Sequence, residues 1–423
     1  MPSTGPRRRA LLLSTGVVFL LFAVALAAAQ LQVLHSFTGG LDGANPAGLT
    51  IDGAGNLYGT TGTGGGNGFG VAYALRHGSG FWQLVRLHNF GAALQGQGPG
   101  YPVRDPHGNI YGALAFGGAN GQGAIFQLAP AGGGKWTYRV IFNFTGGAGG
   151  TQPSPSLAID AKGNLYGTTV HGGDQGCSSP LGCGTAFELS PQAEGGWTQK
   201  VIYTFVNTPG QEGATPSSGL TRDPAGNLYG VTFAGGSGVC IGLVYGCGVV
   251  YQLTPSSSGW QYSVLYKFLG GSDGSFPEGG VAIDNSGNLY GGTAAGGGAT
   301  SSGVIYQLSP SGGGWNLHVL YTFQGGRDGM NVFNPVVLDQ SANVYGTADG
   351  GANGAGVLFT VTQTAPGNWS YRLLHTFSGG SDGSIPSGNL VLDQKGNVYG
   401  TSLYGGTSNS GITFAIPVTA EQE

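Results

Sequence analysis

The sequence predicts an all-β fold, a seven-bladed β-propeller of four-stranded antiparallel blades, closed by pairing of the N-terminal strand with the last blade. Three observations predict it. One phrase, D-x-x-G-N-[LIV]-Y-G with a single Gly-to-Ala lapse at Ala342, opens at Asp52, Asp105, Asp160, Asp223, Asp284, Asp339 and Asp393. All six tryptophans, Trp82, Trp136, Trp197, Trp260, Trp315 and Trp369, stand eight residues before a phenylalanine in the same frame of the repeat. The two ends of the array are complementary half-repeats.

A unit recurring every 53 to 63 residues must bury its apolar surface against copies of itself. Gly and Pro make up about 26% of the chain, a level at which aperiodic sequences are disordered. Here the glycines hold fixed offsets between short runs of Val, Ile, Leu, Tyr and Phe, the mark of strands joined by tight turns. Charged residues are only 8%, which excludes a polybasic nucleic-acid surface and an acidic tail.

The fifth repeat shows the elements in order. Strand a is expected over 280–284, a turn at 285–287 leads into strand b over 288–293, a glycine-rich loop follows, strand c covers 303–308, and strand d covers 315–323. In strand d, Trp315, Leu317, Val319, Tyr321 and Phe323 are expected on one face and Asn316, His318 and Thr322 on the other, as period-2 geometry requires. The tryptophans are read as core packing rather than sugar platforms.

The array begins in mid-repeat. Residues 31–37 read as a strand d without its predecessors, while the last repeat supplies a (389–393), b (397–402) and c (411–416) without a d. An open solenoid would leave two raw edges in need of capping. Joining the halves gives seven complete blades. The position eight before Phe37 is Ala29, so the seventh tryptophan is missing where a cleavage site is expected.

Residues 1–29 read as a secretory signal. Arg7, Arg8 and Arg9 precede an apolar run, and Ala27 and Ala29 form an A-x-A site before Gln30. The alternative is an uncleaved anchor, because the run is about 20 residues long. The propeller is assigned to 30–417 and a short tail to 418–423. Without 1–29 the chain carries 12 Lys and Arg against 19 acidic residues, and it is expected to be a secreted or periplasmic monomer. The four cysteines fit that compartment. Cys177 and Cys183 share the b–c loop of the third repeat, and Cys240 and Cys247 share that of the fourth. Local disulfides are expected, each contributing about 2 to 2.5 kcal/mol, with cross-pairing as the alternative. Zinc is disfavoured because neither loop has C-x-x-C spacing or a nearby histidine.

For chemistry the repeated aspartate is read first as a turn residue, its carboxylate accepting backbone N–H groups while Gly and Asn take positive φ. A second acidic position follows strand d in F-x-G-G-x-D-G, at Asp42, Asp273, Asp328 and Asp382, with Glu212 arriving there after an insertion and Gln95 and Gly149 replacing it elsewhere. These five acids are the candidates for a metal, calcium in particular, beside the plainer reading of D-G turns. His35, His88 and His375 occupy a strand-d slot held elsewhere by Tyr203, Tyr266 and Tyr321. Copies differ most at the end of strand b, where the chain reads Thr63, Phe116, His171, Ala234, Ala295, Asp349 and Tyr404. Phe116, His171, Phe233, Tyr404 and Asp349 are therefore the candidate ligand-binding residues. No pair of carboxylates is singled out for acid–base work, and no catalytic residue is assigned.

The repeat resembles the GloVer tandem-repeat family, whose phrases read G-N-L-Y-G-T-T, G-G, G-x-V-F-x-L-x-P and V-L-Y-x-F. Here residues 164–169, Gly172 and Gly173, 184–191 and 201–205 supply them in order, and the resemblance covers nearly all of 31–417. It implies a bacterial envelope or extracellular protein, and it carries no activity to transfer. Members bear varied C-terminal anchors, whereas this chain ends at Glu423 without an apolar segment. D-x-x-G-N-[LV]-Y is also distantly similar to NHL and gluconolactonase-type propellers, whose metal-binding carboxylates have no identifiable counterparts here.

Two function classes follow. One is a non-catalytic binding or scaffold propeller that takes a glycan or an envelope protein on its loop-rich face. The other is a polysaccharide-active hydrolase or lyase using Asp349, Glu278 and His171, an expectation resting on fold analogy. A nucleic-acid partner is disfavoured by charge.

Overall fold

The computed structural model describes residues 1, 30–78, 80–91, 97–173, 181–206, 212–238, 240 and 246–417. They form seven antiparallel blades, with one 3-10 turn at Gly147–Gly149 as the only helical element among them. No helix of the described residues is long and apolar enough to cross a membrane.

In the fifth blade strand a is Ala282–Ile283, b is Leu289–Gly292, c is Val304–Ser311 and d is Gly314–Thr322, within a few residues of expectation. The N-terminal strand Gln32–Ser36 lies antiparallel beside the last c strand, Ile412–Ile416, in the register Gln32 with Ala415 and Ser36 with Ile412. It is the d strand of the seventh blade, and the backbone N–H of Phe37 donates to the Gly411 carbonyl as the corresponding phenylalanine does in the other six blades.

The core lies between blades. Seven buried clusters each span two neighbours. The phenylalanine ending strand d of one blade meets the aromatic ring of strand c in the next edge-on, with centroids 5.1 to 5.4 Å apart, from Phe37–Tyr73 round to Phe377–Phe414. Each tryptophan reaches back to the tyrosine of the repeated phrase in the preceding blade, at 5.9 to 6.5 Å, beginning with Trp82 on Tyr399. All six are therefore packing residues, worth roughly 0.5 to 1.5 kcal/mol per ring pair beyond the area buried. In the seventh slot, Leu31 packs against the cluster that holds Tyr345.

Two local expectations are corrected. Strand d does not alternate strictly, because every copy carries a register shift, between Val319 and Tyr321 in the fifth blade. That shift turns Leu320 inward and leaves Val319 exposed, since an added residue at a bulge inverts the pleat beyond it. In the repeated turn, Gly287 takes φ 81° and its equivalents do likewise, but the following Asn does not. The Asn amide instead bonds the Asp, which holds the loop without a second left-handed residue. At the lapse, Ala342 adopts φ 62°.

The final glycine of the repeated phrase has a different task. A Cβ on Gly59, Gly112, Gly167, Gly230, Gly291, Gly346 or Gly400 would lie 2.4 to 2.6 Å from the buried aromatic ring of the adjacent c strand. Strand b lacks a side chain there so that the ring can lie across it.

Candidate functional site: the loop face and the axial channel

Antiparallel order puts the a–b and c–d turns at one end of the ring and the d–a and b–c loops at the other. The hairpin end is uniform. In all seven copies the aspartate Oδ1 accepts the Asn N–H at 2.8 to 2.9 Å, while Oδ2 accepts the Asn amide at 2.7 to 2.9 Å and the Tyr hydroxyl at 3.0 to 3.3 Å. Burial works to raise the Asp52 and Asp160 carboxyls, but these hydrogen bonds outweigh it and hold both below the ordinary value.

At the loop end each of the five candidate metal acids is engaged by its own blade. Asp42 accepts the Thr38 N–H and hydroxyl and the His35 ring, and Asp382 accepts the Ser378 N–H and hydroxyl and the His375 ring. Asp273 takes the Leu269 N–H and the Tyr266 hydroxyl, Asp328 the Gln324 N–H and the Tyr321 hydroxyl, and Glu212 the Tyr203 hydroxyl. Where Gly149 replaces the acid, the donor slot holds Phe142, which has nothing to donate. Gln95 lies outside the described residues. Among the described residues no group of three His, Cys, Asp or Glu comes together as a metal site.

The candidate ligand-binding residues occupy the matching upper end of strand b in different blades. Phe116 and Tyr404 are exposed, at 53% and 43%. Phe233 is stacked on Phe276, centroids 4.7 Å apart, and forms part of the packing between blades. Asp349 pairs with the backbone of Met330, and burial raises its carboxyl. His171 pairs with Thr151, and burial lowers its pKa against a ring hydrogen bond to the Gly182 backbone that raises it. Asp349, Glu278 and His171 stand on the sixth, fifth and third blades, and no hydrogen bond among the described residues joins them. Cys240 and Cys247 form the expected local disulfide, with Cα atoms 5.5 Å apart. Cys183 is also disulfide-bonded. Cys177 lies outside the described residues.

The residues between the repeated turn and the loop were not singled out from sequence. One equivalent position there is left-handed in every blade: Asn45, Gly98, Gln152, Thr215, Phe276, Asn331 and Ile385, with φ between 53° and 63°. Six of the seven are not glycine, a strained choice that the surroundings must enforce. They do so through a bond between blades, because the N–H of those six donates to a b–c loop carbonyl of the preceding blade at 2.8 to 3.0 Å. Cys183 and Cys247 are two of the acceptors, so the Cys240–Cys247 bridge braces a loop that ties blades together. The legible signal was the proline after the left-handed residue, present as Pro46, Pro99, Pro153, Pro216, Pro277 and Pro386 with Val332 as the exception.

Beyond those prolines the a strands line an axial cavity of about 610 Å³. Its wall includes Tyr101, Ser217, Glu278, Phe333, Asn334 and Asn389. Glu278 is the one charged side chain on that wall and has no hydrogen-bond partner among the described residues. Burial pushes its carboxyl up to about 7. A second cavity, about 640 Å³, lies between the seventh and first blades at the hairpin end, beside Trp82 and Tyr399. None of Phe116, His171, Phe233, Asp349 and Tyr404 lines either one.

Blades, uniform hairpins and a walled axis define the class as a β-propeller. A profile of the Gloeobacter/Verrucomicrobia repeat matches residues 14–242 and 238–423, and the chain belongs to that family. Among solved structures, the chain is similar to an extracellular domain assigned to a hybrid two-component system of B. thetaiotaomicron, with 12% identity and a TM-score of 0.56 over 91% of this chain and 39% of that one. It is also similar to a gluconolactonase from Xanthomonas campestris (12% identity, TM-score 0.41, 75% of this chain and 84% of that one). PorZ, a surface component of the type-IX secretion system of Porphyromonas gingivalis, matches at 15% identity and a TM-score of 0.46, covering 86% of this chain and 46% of that one. At such identities the likeness is one of fold. No curated protein matches the sequence.

Proposed function

We propose that this chain is an exported, non-catalytic binding propeller that holds a protein partner on the face of its d–a and b–c loops. The segregation of exposed apolar side chains carries this reading. Leu41, Phe116, Leu181, Leu269, Ile385 and Tyr404 are exposed on the loop side, against Phe81 on the hairpin side and Val33, Val319 and Leu373 along the outer d strands. Exposed apolar groups gathered on one side mark interaction surfaces. The mixture of Leu, Ile, Phe and Tyr suits a protein surface better than a glycan, which asks for flat aromatic platforms. The basic and apolar leader at 1–29 and the Cys240–Cys247 bridge support export.

Photo-crosslinking residues placed singly at 116, 269, 404 and, as control, 81 test the reading in intact cells. Adducts of one defined protein are expected from the loop-face positions and not from position 81. Equal yields from both ends, or glycan binding that is abolished by Phe116→Ser with Tyr404→Ser, would overturn the protein assignment.

A further inference from the structure

The axial cavity has an asymmetry that packing of the ring does not require. The position after the strand-a proline, or its valine equivalent, is occupied in blade order by Ala47, Gly100, Ser154, Ser217, Glu278, Phe333 and Ser387. Five are small, which opens the axis. Glu278 and Phe333 are the large exceptions, they stand on adjacent blades, and both line the cavity. On the other side of Glu278 is Ser217, whose Oγ is buried without a hydrogen-bond partner among the described residues. The Ser217 hydroxyl, buried without a partner, costs stability, and the half-buried Glu278 carboxylate lines the same cavity with no partner among the described residues. Their surroundings point to a ligand that supplies donors.

A divalent cation fits the wall poorly. The Asn334 carbonyl accepts the Gly388 N–H at 3.1 Å and its amide donates to Thr347 and Pro386, while Asn389 exchanges both its bonds with the backbone of Leu49. These amide oxygens are already engaged in joining neighbouring blades. One carboxylate remains, short of the six to eight oxygens that calcium takes. A primary ammonium needs less: one counter-charge, an acceptor hydroxyl and an apolar or aromatic wall for its stem. Glu278, Ser217 and Phe333 supply these three, and Val281, Val336 and Leu220 continue the wall below them.

We infer that the axial channel binds a primary ammonium group on an unbranched alkyl stem, with Glu278 as counter-charge, Ser217 as acceptor and Phe333 against the stem. The site lies apart from the loop-face residues proposed to hold a protein partner, so either reading can fail alone. Binding requires the ionised carboxylate, and Tyr101, the other titratable group on the described wall, is pushed up to about 12 by burial and stays neutral.

Calorimetric titration of the purified protein with hexylamine at pH 8 tests the inference, with hexan-1-ol as the uncharged probe. Hexylamine is expected to bind at least about tenfold more tightly than the alcohol, and Glu278→Gln to remove that difference while leaving the unfolding midpoint within a few degrees. Lowering the pH from 8 to 5.5 should weaken the amine and leave the alcohol unchanged. Nα-acetyl-lysine methylamide and cadaverine distinguish the sources of such an amine: tighter lysine amide assigns a protein side chain, tighter cadaverine a free polyamine. Equal affinity for amine and alcohol in the wild-type protein overturns the inference even if the variant does not fold. So does displacement of hexylamine by millimolar calcium, which would make the channel a metal site.

Discussion

The two ends of the ring solve the same problem, closing a turn around a carboxylate, with different regularity. At the hairpin end the acid meets the same Asn and Tyr partners in seven copies, all within six residues of it. At the loop end a strand-d side chain seven residues away completes the arrangement, as Tyr in the Asp273 and Asp328 copies and as His in the Asp42 and Asp382 copies. In one copy both acid and donor are gone, as Gly149 and Phe142. The difference teaches that the hairpin cage belongs to the repeat, while the loop latch is a pairwise contact that can be exchanged or lost when both partners change together.

The comparison can be broken most severely inside the repeated phrase. Gly291→Ala should cost about 3 kcal/mol, the upper end of overpacking, because its Cβ would meet the buried Tyr306 ring; the midpoint of urea unfolding reads it. Asp284→Ala removes acceptors for Ser286, Asn288 and Tyr290 and should cost about 2 kcal/mol, whereas Asp328→Ala, with fewer partners, should cost about 1 kcal/mol. Equal costs would end the distinction between the two faces. In the opposite direction, Ala342→Gly should stabilise by about 1 kcal/mol, since only this copy places a Cβ at φ 62° in the hairpin.

The smallest effect sharpens the loop end by pH. Burial acts to raise Asp42 and Asp382, but hydrogen bonds from Thr38 and His35 and from Ser378 and His375 hold both below their ordinary value of 3.8. A carboxyl lowered in the folded state stabilises fully above its unfolded pKa and loses that contribution as the pH falls through the folded one. The stability of the wild-type protein should therefore fall below about pH 4. Asp42→Asn with Asp382→Asn should flatten that acid limb, measured as unfolding midpoint against pH. An unchanged slope would show that the latches add nothing beyond turn geometry.

Much of the fold was legible because its determinants repeat. Seven Asp phrases, six tryptophans and two half-repeats counted the blades, and the half-repeats indicated which strand would lie beside Ile412–Ile416. The candidate site was less legible. Phe116 and Tyr404 were found because they vary at an exposed position, but Phe233 varies at the same level and packs on Phe276, a partner 43 residues away that no pattern within one repeat reveals. Glu278 was legible only as an acid outside the repeated frames, grouped with Asp349 and His171. Its setting depends on Ser217 and Phe333, which line the same cavity from two other blades.

By itself, the sequence determined the repeating unit, its hairpin cage and the number of copies, since those rest on hydrogen bonds and alternation within about ten residues. Only the tertiary structure decided where strand d shifts register, which N–H of a left-handed residue ties each blade to the last, and what faces the axis. The register shift is settled between strands c and d of one blade, and the other two by contacts between blades that the closure of the ring sets. A side chain such as Glu278 gains its chemistry from what the other blades leave unfilled around it.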